Sequence, residues 1–310
     1  MKIIELIAEE LNLPISLMEK ALDNARKIVK HIKIPKKDGN FRKVYQPSKK
    51  LKIIQYWLIN NVFMRMRISE SATAYRENLS VKNNAYIHQK NKYFVKLDFV
   101  DFFPSIIYRD LEPLIEAWHK DEDPKWQWTL INKETIRKTC FYKRNKLPIG
   151  YPSSPIISNI IMYDFDIAIN STLYLRKDIL GNVKYSRYAD DLIFSTNKKG
   201  VYKEIIDIVN TQIRSMKSPK LKLNSNKTKI CSKSGGSALI TGLRICNDGH
   251  MTIHRKYKDR VRLLISLFEK GKLNSEDIPK LRGHFNYIKN VDPSFYTKMQ
   301  KKHFKILKRL

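Results

Sequence analysis

Residues 183–196 read VKYSRYADDLIFST. Two short β-rich runs flank an acidic pair, Asp190-Asp191, placed where a tight turn would reverse the chain. Residues 93–99, YFVKLDF, read as a buried strand with Asp98 inside it. A carboxylate in such a strand needs a cation or a hydrogen-bonding partner. Three carboxylates delivered by two β elements suit phosphoryl transfer, in which two metal ions clamp the attacking and leaving oxygens. Solvated turn acids are the alternative, and pattern alone leaves both readings open.

Outward from this centre, helical and extended patterns alternate. Residues 3–11 read as a short helix, and a second helix begins at Ser16, whose spacing to Glu19 is that of a capping box. In 32–47, IKIPKKDGNFRKVYQP, Asp38-Gly39 between strand-like runs signals a hairpin. Helical spacing returns over 49–67, 105–118 (with a kink expected at Pro113), 127–141 and 201–216. Residues 152–176 read as one long apolar helix. Short strands are expected over 221–253, turning at Gly235-Gly236 and Asp248-Gly249, with helix from 254 onward. The fold class is α+β.

The chain has 310 residues, and 60 Lys and Arg against 30 Asp and Glu give a formal net charge of +30. The 42% hydrophobic content excludes global disorder and suffices for a large core or several packed subdomains. So positive a surface favours a polyanion, either nucleic acid or an anionic membrane. The longest uncharged stretch, 147–163, contains prolines, serines and an asparagine, whereas a spanning helix needs about 20 mostly apolar residues. The first residues, MKIIELIAEELNLP, match neither a signal nor a transit peptide. Nucleic acid in the cytoplasm, with no membrane, is therefore the expected setting. Cys140, Cys231 and Cys246 lack CxxC spacing and are expected to be reduced, small core residues. Residues 254–310 hold 16 Lys and Arg against 5 Asp and Glu, which marks a basic helical subdomain.

Five motifs, in order, resemble those of reverse transcriptases. LDFVDFF (97–103) resembles the first catalytic motif and YADD (188–191) the second. LPIGYPSSP (147–155) resembles the template- and nucleotide-facing motif, LKLNSNKTKI (221–230) the Asn-x-x-Lys-Thr motif, and ITGLRI (240–245) the primer-gripping hairpin. Two further features are similar to retron enzymes: Asn84-Ala85-Tyr86-Ile87-His88 fits an Asn-Ala-x-x-His signature, and Ile240-Thr241-Gly242 stands where Val-Thr-Gly is usual. Ile149 departs from the family, many of whose members carry a nucleotide-contacting Gln there.

The resemblance implies a right-hand polymerase. Residues 1–92 would be N-terminal helices and fingers, 93–253 a palm of antiparallel sheet and helices with finger insertions near 105–150, and 254–310 a small helical thumb. Asp98, the Phe99 backbone, Asp190 and Asp191 would hold two Mg²⁺ ions. Lys227 would be the catalytic proton donor to pyrophosphate. Lys36, Lys37 and Arg42 flank Asp38-Gly39; by spacing alone they could be a solvated basic turn, and by resemblance they meet the dNTP triphosphate. Gly150 would also face the dNTP, and Phe103 would exclude a 2′-OH. Asn84, His88, Thr241, Gly242, Arg255, Lys256, Lys258, Arg262, Arg282 and His284 would bind RNA or organise its surface.

The implied activity is that of a retron RNA-directed DNA polymerase. It would copy part of a cognate structured non-coding RNA into single-stranded DNA (msDNA), primed from an RNA 2′-OH. Anti-phage defence with a separate effector protein would be its setting. Neither an RNase H domain nor a Cys/His endonuclease module is expected in the chain, so a host RNase H would remove the RNA. A group II intron-like or other bacterial reverse transcriptase is the enzyme alternative, and an RNA-binding scaffold the non-enzymatic one.

Overall fold

In a computed structural model, which describes residues 1–36 and 39–304, the stretches around Asp98 and Asp190-Asp191 meet in one four-stranded antiparallel sheet. Lys37 and Asp38 lie outside the described residues. The chain opens with helices α1 (Ile3–Glu10) and α2 (Ile15–Asp23), a hairpin β1 (Val29–Pro35) and β2 (Phe41–Pro47), and helices α3 (Lys49–Asn61) and α4 (Val81–Ile87). Strand β3 (Tyr93–Asp98) leads into a helical block: α5 (Phe102–Ser105), α6 (Tyr108–Glu122), α7 (Leu130–Cys140), α8 (Ser154–Ile161), α9 (Tyr163–Leu175) and α10 (Lys177–Leu180). Strands β4 (Lys184–Tyr188) and β5 (Asp191–Thr196), helix α11 (Tyr202–Ser215) and strand β6 (Lys229–Ser232) complete the central sheet, in the order β4-β5-β3-β6. A second sheet, β7 (Ser237–Ile240), β8 (Leu243–Cys246) and β9 (Met251–Ile253), precedes α12 (Arg255–Glu269), α13 (Ile278–Val291) and α14 (Pro293–Lys302).

Alternation along the strands gives the central sheet two different faces. The pairs Leu97↔Leu192, Val95↔Phe194 and Tyr185↔Phe194 put apolar side chains on one face, which buries against the helices in the larger core. The pairs Asp98↔Asp191, Lys96↔Ile193 and Ser186↔Ile193 lie on the other. There Phe94 and Ile193 join a second core made by Ala85 of α4, β7–β9 and α12–α14. The small sheet thus packs with the C-terminal helices, and that unit sits on the sheet face that carries the acids.

On the helical face Arg187 and Asp166 form an ion pair at 2.8 Å with neither side chain exposed. Arg187 Nη1 also donates to Asn159 at 3.1 Å, and the Tyr185 hydroxyl donates to Asp166 at 2.7 Å. Removing one member of such a pair costs about 3–5 kcal/mol, because the other is left as an uncompensated buried charge. The pair therefore fixes β4 against α8 and α9. Residues 71–73 run beside β4, with Arg187 N–H on the Ser71 carbonyl at 2.7 Å and Thr73 N–H on the Arg187 carbonyl at 2.9 Å, so the edge of β4 is covered.

The hairpin, the strand at 93–98, the β4–β5 pair, the short strands before 254 and the helices after it follow the sequence reading. The expected long helix over 152–176 is instead two helices parted at Met162, of which α8 packs on α6 and α9 on α11. Helix α6 starts three residues later than expected and runs through Pro113 to Glu122. Cys140 is buried, Cys246 is partly so, and Cys231 is exposed, which corrects the expectation of three core thiols. Cys231 lies on the edge strand β6, whose outer side pairs with no strand among the described residues. Among the described residues no helix is long and apolar enough to cross a membrane.

Candidate active site

Asp98 and Asp191 stand opposite each other on β3 and β5, so both carboxylates leave the same sheet face. Only Ala189 and Asp190 separate β4 from β5, since Tyr188 pairs with Asp191. Ala189 takes φ +57°, a left-handed conformation that costs a non-glycine residue about 1–2 kcal/mol. The backbone pins the acids: Phe99 N–H donates to the Asp190 carbonyl at 3.1 Å, and Asn224 N–H to the Asp98 carbonyl at 2.7 Å. The first bond places the Phe99 peptide beside the acidic turn.

Two lysines answer the acidic charge. Lys227 Nζ donates to both Asp98 carboxylate oxygens, at 2.9 and 3.0 Å. Lys96 Nζ pairs with Asp191 at 2.9 Å. Burial pushes the Asp190 carboxyl above its usual range, and the negative charges of Asp98 and Asp191 push it further. The hydrogen bond to Asp98 raises Lys227, which keeps it protonated. Among the described residues no three acidic, histidine or cysteine side chains stand converged as a ready ligand set. Asp98 and Asp191 are instead engaged by the two lysines. The donors still fit a hard divalent cation: they are carboxylate oxygens, crowded enough to raise one of their number, and already balanced by positive charge.

Around this centre the sequence-derived nucleotide residues divide. Phe103 is half-buried, its ring edge-on to Phe102 and to Tyr75 at centroid distances of 5.6 and 6.4 Å. Gly150 packs on the β1–β2 hairpin: an added Cβ would lie 2.6 Å from the Tyr45 carbonyl oxygen, and Tyr45 N–H donates to the Ile149 carbonyl at 2.7 Å. Arg42 is exposed on β2, and its charge acts on the Tyr75 phenol. Lys36 is exposed at the end of β1, and Lys37 lies outside the described residues.

Asn84 and His88 are fully buried, so of the two expected roles, binding RNA or organising its surface, only the second is open to them. His88 bridges Ser195 and Ser186, each at 2.8 Å, and Asn84 bonds Thr73, Ser186 and Thr241. Burial, reinforced by the Lys184 charge, pulls the His88 pKa down to about 3. Lys258, expected at the RNA surface, is engaged within the protein: it pairs with the buried Asp292 at 2.9 Å and lies over the Phe295 ring, so it ties α12 to the start of α14. Gly242, Arg255, Lys256, Arg262 and Arg282 are exposed. Thr241 and His284 are half-buried, and His284 shares a 2.6 Å hydrogen bond with the Tyr257 hydroxyl.

Three features were missed in the sequence. Lys96 precedes Asp98 by two positions, and strand periodicity alone puts both on one face. Tyr75, at φ +60°, packs edge-on to Phe103, and burial and the Asp190 charge raise its phenol; nothing in its local sequence signals this. The Arg187–Asp166 pair has no specific signal, since β4 carries two cations, Lys184 and Arg187, and α9 two acids, Asp164 and Asp166.

Residues 34–278 match the family described as reverse transcriptase (RNA-dependent DNA polymerase). The chain is 43% identical over 277 residues to the Retron Ec73 reverse transcriptase of Escherichia coli, which covers 89% of this chain and 87% of that protein. It is 34% identical over 278 residues to the Retron Ec83 reverse transcriptase of Escherichia coli, covering 87% and 85%. Among solved structures, apo telomerase from Candida Tropicalis aligns with a TM-score of 0.53 at 13% identity. That alignment covers 91% of this chain and 58% of the telomerase chain, and it is a likeness of fold alone.

His88 makes a test of the buried network. Its folded pKa, about 3, lies below the ordinary 6.5, so the unfolded chain binds the proton more tightly. Stability is therefore lost as pH falls from 6.5 towards 3. In urea titrations across that range the wild type should lose about 1–3 kcal/mol more than His88→Gln. Equal losses would show that His88 protonates without breaking the network.

Proposed function

The chain belongs to the retron-type reverse transcriptases and is an RNA-directed DNA polymerase, and on that premise we propose that it copies part of a cognate structured non-coding RNA into single-stranded DNA from a 2′-OH of the same RNA. The observation that carries the reading is the acidic end of the central sheet, where Asp98, Asp190 and Asp191 meet Lys227 and Lys96. The retron relatives favour this template class over a group II intron-like one, and an RNA-binding scaffold has no use for a strained acidic turn. In this reading residues 1–92 are N-terminal helices and fingers, 93–253 the palm and 254–310 the thumb, whose core extends onto β7–β9.

Asp98, Asp190, Asp191 and the Phe99 carbonyl would hold Mg²⁺. A bound divalent ion lowers the pKa of the attacking hydroxyl and screens the triphosphate. The chain's own residues do the rest. Arg42 and Lys36, with Lys37, meet the phosphates, Arg by two parallel hydrogen bonds and Lys as a point charge. Gly150 lets the loop before α8 approach the hairpin that carries Arg42. Lys227, kept protonated beside Asp98, supplies the proton to departing pyrophosphate. Phe103, braced by Phe102 and Tyr75, closes the space a 2′-OH would need. Exposed Arg255, Lys256, Arg262 and Arg282 hold RNA phosphates, and this binding weakens as salt rises. The partners in this setting are the cognate RNA, its DNA product, dNTPs, a separate effector protein for anti-phage defence and a host RNase H, all in the cytoplasm. The effector and the defence role rest on kinship with retron enzymes.

Two measurements test the proposal. When the chain is expressed with its native flanking locus, the co-purifying nucleic acid should contain a discrete DNase-sensitive band that shifts after RNase treatment. DNA synthesis on unrelated primed RNA, with no such band, would refute the retron template. Separately, Phe103→Ala should raise ribonucleotide incorporation relative to deoxyribonucleotide by about tenfold or more in single-turnover assays. An unaltered ratio would return Phe103 to a packing role.

A further inference from the structure

The buried network around α4 has one hydrogen-bond direction, and it ends on the β7–β8 turn. Ser186 Oγ donates its proton to Asn84 Oδ1 at 2.6 Å, so it must accept from His88 Nε2 at 2.8 Å. That places the ring proton on Nε2. His88 Nδ1 then accepts from Ser195 Oγ at 2.8 Å, and Ser195 Oγ accepts from Asn91 Nδ2 at 2.9 Å. Thr73 Oγ1 donates to Asn84 Oδ1 at 2.9 Å. Across the gap to the small sheet, Asn84 Nδ2 donates to Thr241 Oγ1 at 3.3 Å, and the Thr241 hydroxyl donates to the Val81 carbonyl at 3.3 Å. Gln89 Nε2 reinforces the join with a 2.8 Å bond to the Gly249 carbonyl.

Thr241 needs such holding. It lies at φ +44° and Gly242 at φ +87°, and a β-branched residue in the left-handed region persists only where its surroundings impose it. The network reaches the turn from β4, the strand that runs directly into Asp190, and from β5, which begins at Asp191.

We infer that Asn84, His88 and Thr241 form a clasp that fixes the Thr241–Gly242 turn against β4 and β5 and thereby sets where a primer end lies over Asp98, Asp190 and Asp191. The two sequence signatures, far apart in the chain, are one hydrogen-bonded device. Its members are positioning residues: Asn84 and His88 have no exposed surface and act only through the turn. The inference rests on the proposed reading of 240–245 as the primer-side hairpin.

Thr241→Val keeps the branched shape and removes the hydroxyl, while Thr241→Ser keeps the hydroxyl. Steady-state extension on a primed RNA template should show the KM for primer–template raised about three- to tenfold in Thr241→Val. The KM for dNTP should stay at the wild-type value, and Thr241→Ser should restore primer affinity. In parallel, a primer with 4-thiothymidine near its 3′ end should crosslink to residues 240–245 of the wild type. Crosslinks there with an unchanged primer KM in Thr241→Val would overturn the clasp and leave the hairpin reading standing. Equal rises in the primer and dNTP KM values would overturn it as well, because the effect would then be general damage to the site. No crosslinks to 240–245 would refute the hairpin reading, and the clasp with it.

Discussion

Mutual repulsion among carboxylates is the constraint on which this structure turns. The β3–β5 register sets Asp98 directly against Asp191, and a two-residue turn adds Asp190 beside them. Burial and the charges of Asp98 and Asp191 raise the Asp190 carboxyl, so positive charge is needed nearby. Lys227 and Lys96 supply it from a 3₁₀ turn and from the sheet itself. The acids must also be kept from moving apart, and that falls to rigid parts: the Arg187–Asp166 pair behind β4, the covered edge at 71–73, and backbone bonds from Phe99 and Asn224. The left-handed Ala189 is strain that this frame sustains.

The two faces of the central sheet divide the labour. One face buries Val95, Leu97, Leu192 and Phe194 against helices, and this apolar burial stabilises the strands. The other carries polar groups: the acids at one end, and at the other Ser186 and Ser195, which receive α4 and, through it, the small sheet. A protein with a net charge of +30 repels itself. It gains from internal ties such as Lys258–Asp292, where a cation is spent on packing rather than on binding a polyanion.

Much of this was legible in the sequence. The strands around Asp98 and Asp190-Asp191, the hairpin at 32–47 and the basic helices after 254 follow from periodicity and turn residues, which are local signals. What escaped was set by packing between distant elements. Apolar periodicity continues through Met162, so the break between α8 and α9 is visible only in which helices each one meets. His88 and Lys258 are polar residues that usually face solvent, and their burial depends on Ser186, Ser195 and Asp292, all remote in sequence. Cys231 shows the reverse: a residue type that is normally buried lies exposed because its strand is at an edge. At the acidic centre the residue types were readable, but their engagement by Lys96 required knowledge of the register.

If the acidic end of the sheet performs RNA-directed DNA synthesis, removing its charge must stop synthesis and spare RNA binding. The most direct measurement compares the wild type with Asp190→Asn/Asp191→Asn for primer extension on an RNA template and for RNA binding in the same preparation. DNA product should then fall by a factor of about 10³ or more, as expected for carboxylates that hold the catalytic metal ions. RNA binding should be undiminished, because lysines and arginines elsewhere carry it. DNA synthesis at the wild-type rate in the double variant would exclude Asp190 and Asp191 from the reaction centre.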